Sequence, residues 1–113
     1  MTDRLPASLE ATAVMRRAMA AGDFATVLRK GDADRGTLLL VIGSRGHHAA
    51  CLERVLSLDG EYRWQQVGPP AGSGSREIAE FLAKRQRFDP DSWLIELDVA
   101  QPERFIAETI VGG

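Results

Sequence analysis

The most continuous hydrophobic stretch of the chain runs from Leu38 to Ile42. It leaves no polar face for water, so it predicts a central β-strand that is covered on both sides. Residues 24–29 alternate loosely between apolar and polar. The connection at residues 31–36 has a glycine at each end and two aspartates, which is typical of a turn. The pattern therefore predicts that residues 24–42 form a β-hairpin, around which the rest of the chain packs.

Two longer segments carry apolar residues at helical spacing. Residues 8–21 predict a first helix, with Ser8 as its N-cap. Residues 75–87 predict a second helix, with Ser75 as its N-cap. The buried stripe predicted for this second helix consists of Ile78, Phe81 and Leu82. A short terminal helix is expected from Pro102 onward, because proline is favoured at the first helical position.

The segment at residues 49–58 fits either a helix or a strand. It leads into Asp59 and Gly60 and then into an aromatic-rich run at residues 62–67, and Asp-Gly between two such runs is a strong hairpin signal. We therefore expect a strand at residues 49–58 and keep a helix as the alternative. Residues 93–99 alternate between apolar and polar positions, which predicts a half-buried strand.

These elements predict an α+β fold of order α-β-β-β-β-α-β-α, in which two main helices pack on a mostly antiparallel sheet of about five strands. At 113 residues, the chain is expected to form a single domain over residues 1–113. Residues 68–75, rich in glycine, proline and serine, should form a flexible connector inside it. The last two residues, Gly112 and Gly113, should fray.

Composition and charge narrow the classes of function. The chain is 44% hydrophobic and 27% charged, as in ordinary soluble proteins, and no apolar run is long enough to span a membrane. The net charge of −2 and the pI of about 5.6 disfavour nucleic-acid binding. Tyr62 and Trp64 share a strand face, and we interpret that face as buried rather than as a base-stacking platform. The N-terminus has no signal-peptide pattern and Cys51 has no internal disulfide partner, so we expect a cytoplasmic protein.

Three stretches give the chain a family resemblance. They are residues 31–36 (Gly-Asp-Ala-Asp-Arg-Gly), residues 58–64 (Leu-Asp-Gly-Glu-Tyr-Arg-Trp) and residues 87–91 (Arg-Phe-Asp-Pro-Asp). With Trp93 and the acidic Glu96 that follow, the chain resembles the small bacterial proteins of domain-of-unknown-function family DUF1491. The resemblance implies a compact, intracellular, single-domain protein. It implies no activity, cofactor or catalytic residue.

The only imidazoles and the only thiol of the chain, His47, His48 and Cys51, lie within five residues. Adjacent residues of a strand point to opposite faces, so the two histidines cannot share a site there. Zinc would also need further ligands from distant carboxylates. We interpret these residues as a histidine pair on a surface loop and a small packed thiol, and we expect neither a metal nor a cofactor.

Asp32 and Asp34 resemble the start of a calcium-binding loop. Such a loop needs oxygen donors at its fifth and twelfth positions, which hold Gly36 and Gly43 here. A role in the turn explains the two aspartates better.

The densest group of distinctive residues surrounds Pro90. A structural role accounts for its members, because Asp89 and Asp91 can cap the turn while Phe88 and Trp93 can anchor in the core. A recognition role is the alternative. Its candidate partner-binding residues are Arg85, Arg87, Asp89 and Asp91.

Two hypotheses about function follow. The leading one is a non-enzymatic interaction or accessory module, with a protein partner that the sequence does not identify. The alternative is a small hydrolase or transferase that acts on an anionic substrate at the loop of residues 43–48, using Asp32, Asp34 or His47. The sequence favours no particular oligomeric state.

Overall fold

The computed structural model describes residues 5–112, which form three helices and five strands in the predicted order. They are α1 (Ala7–Ala20), β1 (Phe24–Arg29), β2 (Leu38–Ser44), β3 (His47–Leu56), β4 (Tyr62–Val67), α2 (Ser75–Phe88), β5 (Trp93–Asp98) and α3 (Pro102–Gly112). The predicted α+β fold is therefore confirmed. The start of the N-terminus and Gly113 lie outside the described residues, and Gly112 ends α3. Of the helices between residues 5 and 112, none has the length and hydropathy needed to cross a membrane.

The five strands form a mixed sheet of order β1-β5-β2-β3-β4. Neighbouring strands are antiparallel except β2 and β5, which run parallel. β2 lies in the middle of the sheet, and its residues from Leu38 to Ile42 are all buried. This confirms the predicted central strand that is covered on both faces.

The predicted hairpin pairing of β1 with β2 is wrong, because β5 lies between them. Ile95 of β5 pairs with Val27 of β1 on one side and with Leu40 of β2 on the other. The turn residues do reverse the chain. However, the connection from Arg29 to Leu38 crosses two strand spacings, roughly 10 Å, which a segment of this length easily spans.

The segment that the sequence left between strand and helix is β3. Cys51 in its middle pairs with Val41 of β2 on one side and with Val67 of β4 on the other. Hydrogen-bonded partners on both edges make the strand the stable conformation. The predicted turn to β4 is also present, with Gly60 at a φ of +85°.

α1 and α3 cover one face of the sheet. The apolar side chains between these helices and the sheet form a first buried cluster. It includes alanines of α1, whose small side chains let the helix approach the strands closely. Arg17 of α1 also lies over the ring of Phe105 of α3, 4.2 Å from its centroid. The buried members of the cluster are Ala7, Ala11, Ala18, Leu38, Leu40, Ile42, Leu52, Trp64, Trp93, Ile95, Leu97, Val99 and Phe105. Trp64 is therefore a core residue, as predicted.

α2 covers the opposite face. Its predicted stripe is confirmed, since Ile78, Phe81 and Leu82 pack against a second buried cluster while they stay half-buried themselves. The buried members of this cluster are Leu39, Val41, Cys51 and Leu94. Leu94 breaks the alternation of β5 in the sequence because it faces α2, whereas its apolar neighbours face α1 and α3.

The two predicted N-caps, Ser8 and Ser75, are wrong. Both serines lie inside their helices, and among residues 5–112 neither helix start has a side-chain cap. In α1, loop carbonyls replace the cap: the N–H of Ala7 donates to the oxygen of Asp34 at 3.1 Å, and the N–H of Ser8 donates to that of Ala33 at 2.9 Å. These bonds satisfy N–H donors that the start of a helix leaves without an intrahelical partner, so the loop after β1 replaces a capping side chain.

Candidate functional site

The distinctive residues gather at the two ends of the parallel strands β2 and β5. The Trp93 corner, residues 29–36 with residues 88–93, lies where both strands begin. The histidine cavity, beside residues 43–48, lies where both strands end. α2 connects the two regions, because it begins at the cavity with Ser75 and ends at the corner with Phe88.

The Trp93 corner joins two motifs that are about sixty residues apart in the sequence. Trp93 is 6% exposed, and its indole N–H donates to the carbonyl oxygen of Asp32 at 2.8 Å. The backbone N–H of Asp32 donates to the carbonyl oxygen of Asp91 at 2.9 Å. The 31–36 loop therefore closes over the indole, and the core role predicted for Trp93 is confirmed.

Two glycines allow this close approach. A Cβ atom on Gly31 would lie 2.7 Å from Cδ1 of Trp93, and one on Gly36 would lie 2.9 Å from the same atom. Both would also collide with the carbonyl oxygen of Asp91. Since real Cβ contacts are longer than this, only glycine fits at either position.

Asp32 acts as a turn residue, as predicted. Its carboxylate accepts the backbone N–H of Asp34 at 2.9 Å and that of Arg35 at 2.7 Å. The bond from Arg35, followed by that from Asp34, lowers the pKa of the Asp32 carboxyl below its usual value. Within residues 5–112, no group of three or more histidines, cysteines or carboxylates is placed to hold a metal ion.

The corner is also held by two residues that the sequence analysis missed. Arg29 donates from Nη2 to the hydroxyl of Ser92 at 2.9 Å, and that hydroxyl donates to the carbonyl oxygen of Asp89 at 2.8 Å. Ser92 is 5% exposed. No local pattern could reveal this chain of bonds, because Arg29 lies on β1 and its partners precede β5.

The four predicted partner-binding residues have different environments. Arg85 forms an ion pair with Glu53 of β3 and so ties α2 to the sheet. Asp89 follows the last residue of α2, and its N–H donates to the carbonyl oxygen of Arg85 at 2.9 Å. The side chains of Arg87 and Asp91 are exposed. The corner therefore contains two residues held by internal bonds and two that face solvent.

Phe88 is 79% exposed, so the predicted core anchor is wrong. Its spacing of seven residues from Phe81 places it on the buried stripe of α2, which explains the error. It lies about 10 Å farther along the helix axis, however, beyond the apolar side chains that α2 covers. α2 therefore ends with an aromatic ring in solvent.

The histidine cavity has a volume of about 420 Å³ and lies between the first half of α2 and the ends of β2 and β5. Its lining consists of Val41, Ile42, Gly43, Ser44, Gly46, His47, His48, Ser75, Ile78, Ala79, Leu82, Glu96, Leu97 and Asp98. It thus includes most of residues 43–48, the predicted loop of the alternative enzyme site. The structure corrects that prediction, because these residues form the end of β2, a two-residue turn at residues 45–46 and the start of β3.

His48 is 9% exposed, so the predicted surface pair is wrong for this residue, whereas His47 is exposed. Both residues nevertheless line the same cavity, although the sequence predicted that the two histidines cannot share a site. Nε2 of His48 lies 3.1 Å from the carbonyl oxygen of Pro69. A carbonyl oxygen only accepts, so Nε2 donates to it, and in the tautomer with its proton on Nε2 the other ring nitrogen, Nδ1, is an acceptor. The N–H of Gly72 donates to the backbone oxygen of His48, so the 68–75 connector is attached to β3 at two points.

The cavity carries negative charge. Glu96 and Asp98 line it, and within the described part of the chain its lining includes no lysine or arginine. Asp98 accepts the backbone N–H of Arg45 at 3.3 Å. Positively charged side chains that would bind an anionic substrate are therefore missing from this lining.

The residues proposed for the alternative enzyme do not meet. Asp32 and Asp34 lie at the Trp93 corner, before β2 begins, whereas His47 follows the end of β2. The strand between them is about 20 Å long at the usual rise per residue. Asp32 and Asp34 therefore cannot act at residues 43–48, and of the three proposed residues only His47 lies there.

Cys51 is completely buried, as the sequence predicted, and burial raises the pKa of its thiol to about 11. The thiolate is the reactive form of cysteine, so a nucleophilic role is disfavoured at neutral pH.

The raised pKa predicts a loss of stability at high pH. In the unfolded chain the thiol ionises near pH 9, while in the folded chain it stays protonated to about pH 11. Its stabilising contribution is thus complete below pH 9 and is lost as the pH rises to about 11, a change of roughly 2–3 kcal/mol in the free energy of unfolding. We expect urea unfolding to show that the difference between the protein and Cys51→Ala shrinks by this amount over that range. A constant difference would contradict the prediction.

Comparisons with known proteins agree with this fold. A model of the family described as "Protein of unknown function (DUF1491)" matches residues 5–107. No curated protein matches the chain. A crystal structure of a DUF1491 family protein from Caulobacter crescentus has 30% sequence identity and a TM-score of 0.77, and the similarity covers 90% of this chain and 94% of that one.

Two solution structures are similarly related. An NMR structure of a DUF1491 family protein from Caulobacter crescentus has 28% identity and a TM-score of 0.78, and the similarity covers 92% of this chain and 94% of that one. The solution structure of a protein from A. tumefaciens has 27% identity and a TM-score of 0.75, with coverages of 91% and 92%. The arrangement described above is thus shared over nearly the whole chain.

Proposed function

The chain belongs to the DUF1491 family of proteins of unknown function, and from this premise we propose that it is a non-enzymatic interaction module of the bacterial cytoplasm. Its partner is a protein that binds the end of α2 at Arg87, Phe88 and Asp91. The observation that carries the proposal is the 79% exposure of Phe88 between charged neighbours.

Aromatic and arginine side chains supply much of the binding energy at protein interfaces. A single exposed apolar residue is ordinary, but a second exposed apolar side chain, that of Leu28, lies at the same end of the sheet. Leu28 is 49% exposed and precedes Arg29, whose guanidinium donates to Ser92. Two apolar side chains with charged residues around them have the composition of an interface centre and its rim.

The backbone next to Phe88 is held in place without a partner. The carbonyl oxygen of Asp89 accepts both the N–H of Ser92, at 3.2 Å, and the Ser92 hydroxyl. Arg29 fixes that hydroxyl in turn. A surface that is already ordered loses less entropy on binding, which favours recognition at this corner.

The four residues predicted from the sequence divide into two roles in this proposal. Arg87 and Asp91 contact the partner, because both are exposed. Arg85 and Asp89 hold the corner, since one pairs with Glu53 and the other accepts from Ser92. We expect no nucleic acid among the partners, given the net charge of −2.

Site-specific photo-crosslinking in the native cell tests the proposal. A photoreactive phenylalanine analogue replaces Phe88 in one variant and Leu58 in a matched control, because Leu58 is also apolar and fully exposed but lies in the turn between β3 and β4. We expect one discrete protein to be crosslinked from position 88 and not from position 58. The purified partner then allows its dissociation constant to be measured.

We expect Phe88→Ser to weaken partner binding at least tenfold, because the ring is the apolar centre of the proposed contact. The free energy of unfolding should stay within about 0.5 kcal/mol, since the side chain is exposed. Calorimetric titration with the crosslinked partner measures the first quantity and urea unfolding the second.

Two control variants sharpen this test. Leu58→Ser should change neither quantity. Arg85→Ala should lower the free energy of unfolding by up to about 1 kcal/mol, because it removes a partly exposed ion pair, and should leave binding within about threefold. Unchanged binding by Phe88→Ser would refute the proposed contact.

A further inference from the structure

We propose that the histidine cavity is a binding site for small organic cations, namely primary amines that carry an apolar body. This site is separate from the proposed protein contact, which lies at the other end of α2. The family description assigns it no role, because the family is one of unknown function.

The size and the floor of the cavity suit a small molecule. Its volume of about 420 Å³ falls within the range of known ligand pockets. Val41 of β2 and Ile78 and Leu82 of α2 contribute an apolar floor. An aromatic or alkyl body of about ten carbon atoms would fit this space and cover these side chains.

His48 supplies a ring nitrogen, Nδ1, that takes no part in holding the fold. The residue is 9% exposed and lines the cavity, and Nε2 is committed to the carbonyl oxygen of Pro69. Among residues 5–112, Nδ1 has no hydrogen-bond partner. Nδ1 still contacts solvent, so it can accept a hydrogen bond from a ligand that donates one.

The charges of the lining select a cation. Glu96 and Asp98 contribute two negative charges, whereas the start of α2 contributes about half a positive charge. The net charge of the cavity lining is therefore negative, which disfavours the anionic substrate of the alternative enzyme hypothesis. An ammonium group has three donors, and the lining offers the two carboxylates and Nδ1 of His48 as acceptors.

An organic cation fits better than a metal ion. No group of three or more histidines, cysteines or carboxylates is placed for metal binding in the part of the chain that the structure describes. The apolar floor would also remain uncovered by a metal ion. The lining thus matches an amine at its polar end and a hydrocarbon at its apolar end.

The experiment compares three probes with the same body and different head groups: 4-phenylbutylamine, 4-phenylbutanol and 4-phenylbutyrate. Each is titrated into the ¹⁵N-labelled protein while amide chemical shifts are recorded. We expect saturable shifts around Val41, His48 and Ile78 with the amine, binding about tenfold weaker with the alcohol, and no saturation with the carboxylate, since a charge-assisted bond is stronger than a neutral one.

Two variants and a control locate the head group. Glu96→Gln and Asp98→Asn should each weaken amine binding about tenfold. Glu103→Gln should not, because this exposed carboxylate lies at the start of α3 on the other side of the sheet. Equal binding of amine and carboxylate, or the absence of amine binding up to about 10 mM, would overturn the proposal. Phe88→Ser should leave amine binding unchanged, so failure here and failure of the protein contact are distinguishable.

Discussion

We expect Trp93→Ala to lower the free energy of unfolding by about 3–5 kcal/mol, the cost of removing a buried aromatic ring from a core. The indole is 6% exposed in the first cluster, and its N–H donates to Asp32 at 2.8 Å. The substitution therefore leaves a cavity and removes one of the two donors to the Asp32 oxygen, which keeps the N–H of Gly36 at 3.2 Å. Urea unfolding followed by circular dichroism measures the loss.

A second variant separates the ring from its hydrogen bond. Trp93→Phe keeps most of the apolar volume but removes the donor to Asp32, so we expect a loss of about 1–3 kcal/mol. Leu58→Ala is the control for an exposed apolar residue and should change the value by less than about 0.5 kcal/mol. A loss below about 1 kcal/mol for Trp93→Ala would mean that the indole does not anchor this corner.

Local patterns were sufficient for most of the secondary structure. The run from Leu38 to Ile42 lies in the middle of the sheet because five apolar side chains in a row need cover on both faces. The stripe of Ile78, Phe81 and Leu82 faces the sheet for the same reason. Each of these predictions depends on the burial of apolar surface, and the pattern of residues close together in the sequence is enough to predict that burial.

The neighbour of β1 could not be predicted in this way. Turn residues determine that a chain reverses, and residues 31–36 do reverse it. They do not determine whether another strand enters the gap. β5 enters after α2, and its Ile95 pairs with both β1 and β2. The pairing is thus determined by a segment far along the chain.

In the candidate sites, too, the local sequence shows which residues are distinctive but not which remote residues they contact. The 87–91 motif is distinctive in the sequence, but the exposure of Phe88 follows from where the sheet ends beneath α2. The burial of His48 depends on Pro69, which the connector brings back across β3. The bond between Arg29 and Ser92 likewise joins β1 to the start of β5. In each case the partner is remote, so no local periodicity could indicate the contact.

A substitution in the 31–36 loop gives the most specific test of the Trp93 corner. We expect Gly31→Ala to lower the free energy of unfolding by about 3 kcal/mol, at the upper end of the cost of inserting a methyl group where there is no space. The added Cβ would meet the backbone of Asp91 and Ser92 as well as the Trp93 ring. Backbone atoms cannot rotate aside as a flexible side chain does, so the loop itself would have to move away from the indole.

Gly74→Ala is the matched control. A Cβ on Gly74 would meet nothing within 4 Å, and the residue has an ordinary φ of −76° before α2. The poorer N-cap and the lower entropy of the unfolded chain act in opposite directions, so the net change should stay within about 0.5 kcal/mol. Tryptophan fluorescence in a Trp64→Phe background, where only Trp93 emits, provides the second measurement, because a displaced loop exposes the indole and shifts its emission to longer wavelength. If Gly31→Ala matched Gly74→Ala in both stability and emission, the loop would not close on Trp93, and its bond from Asp32 to the Asp91 carbonyl would not help to hold the corner.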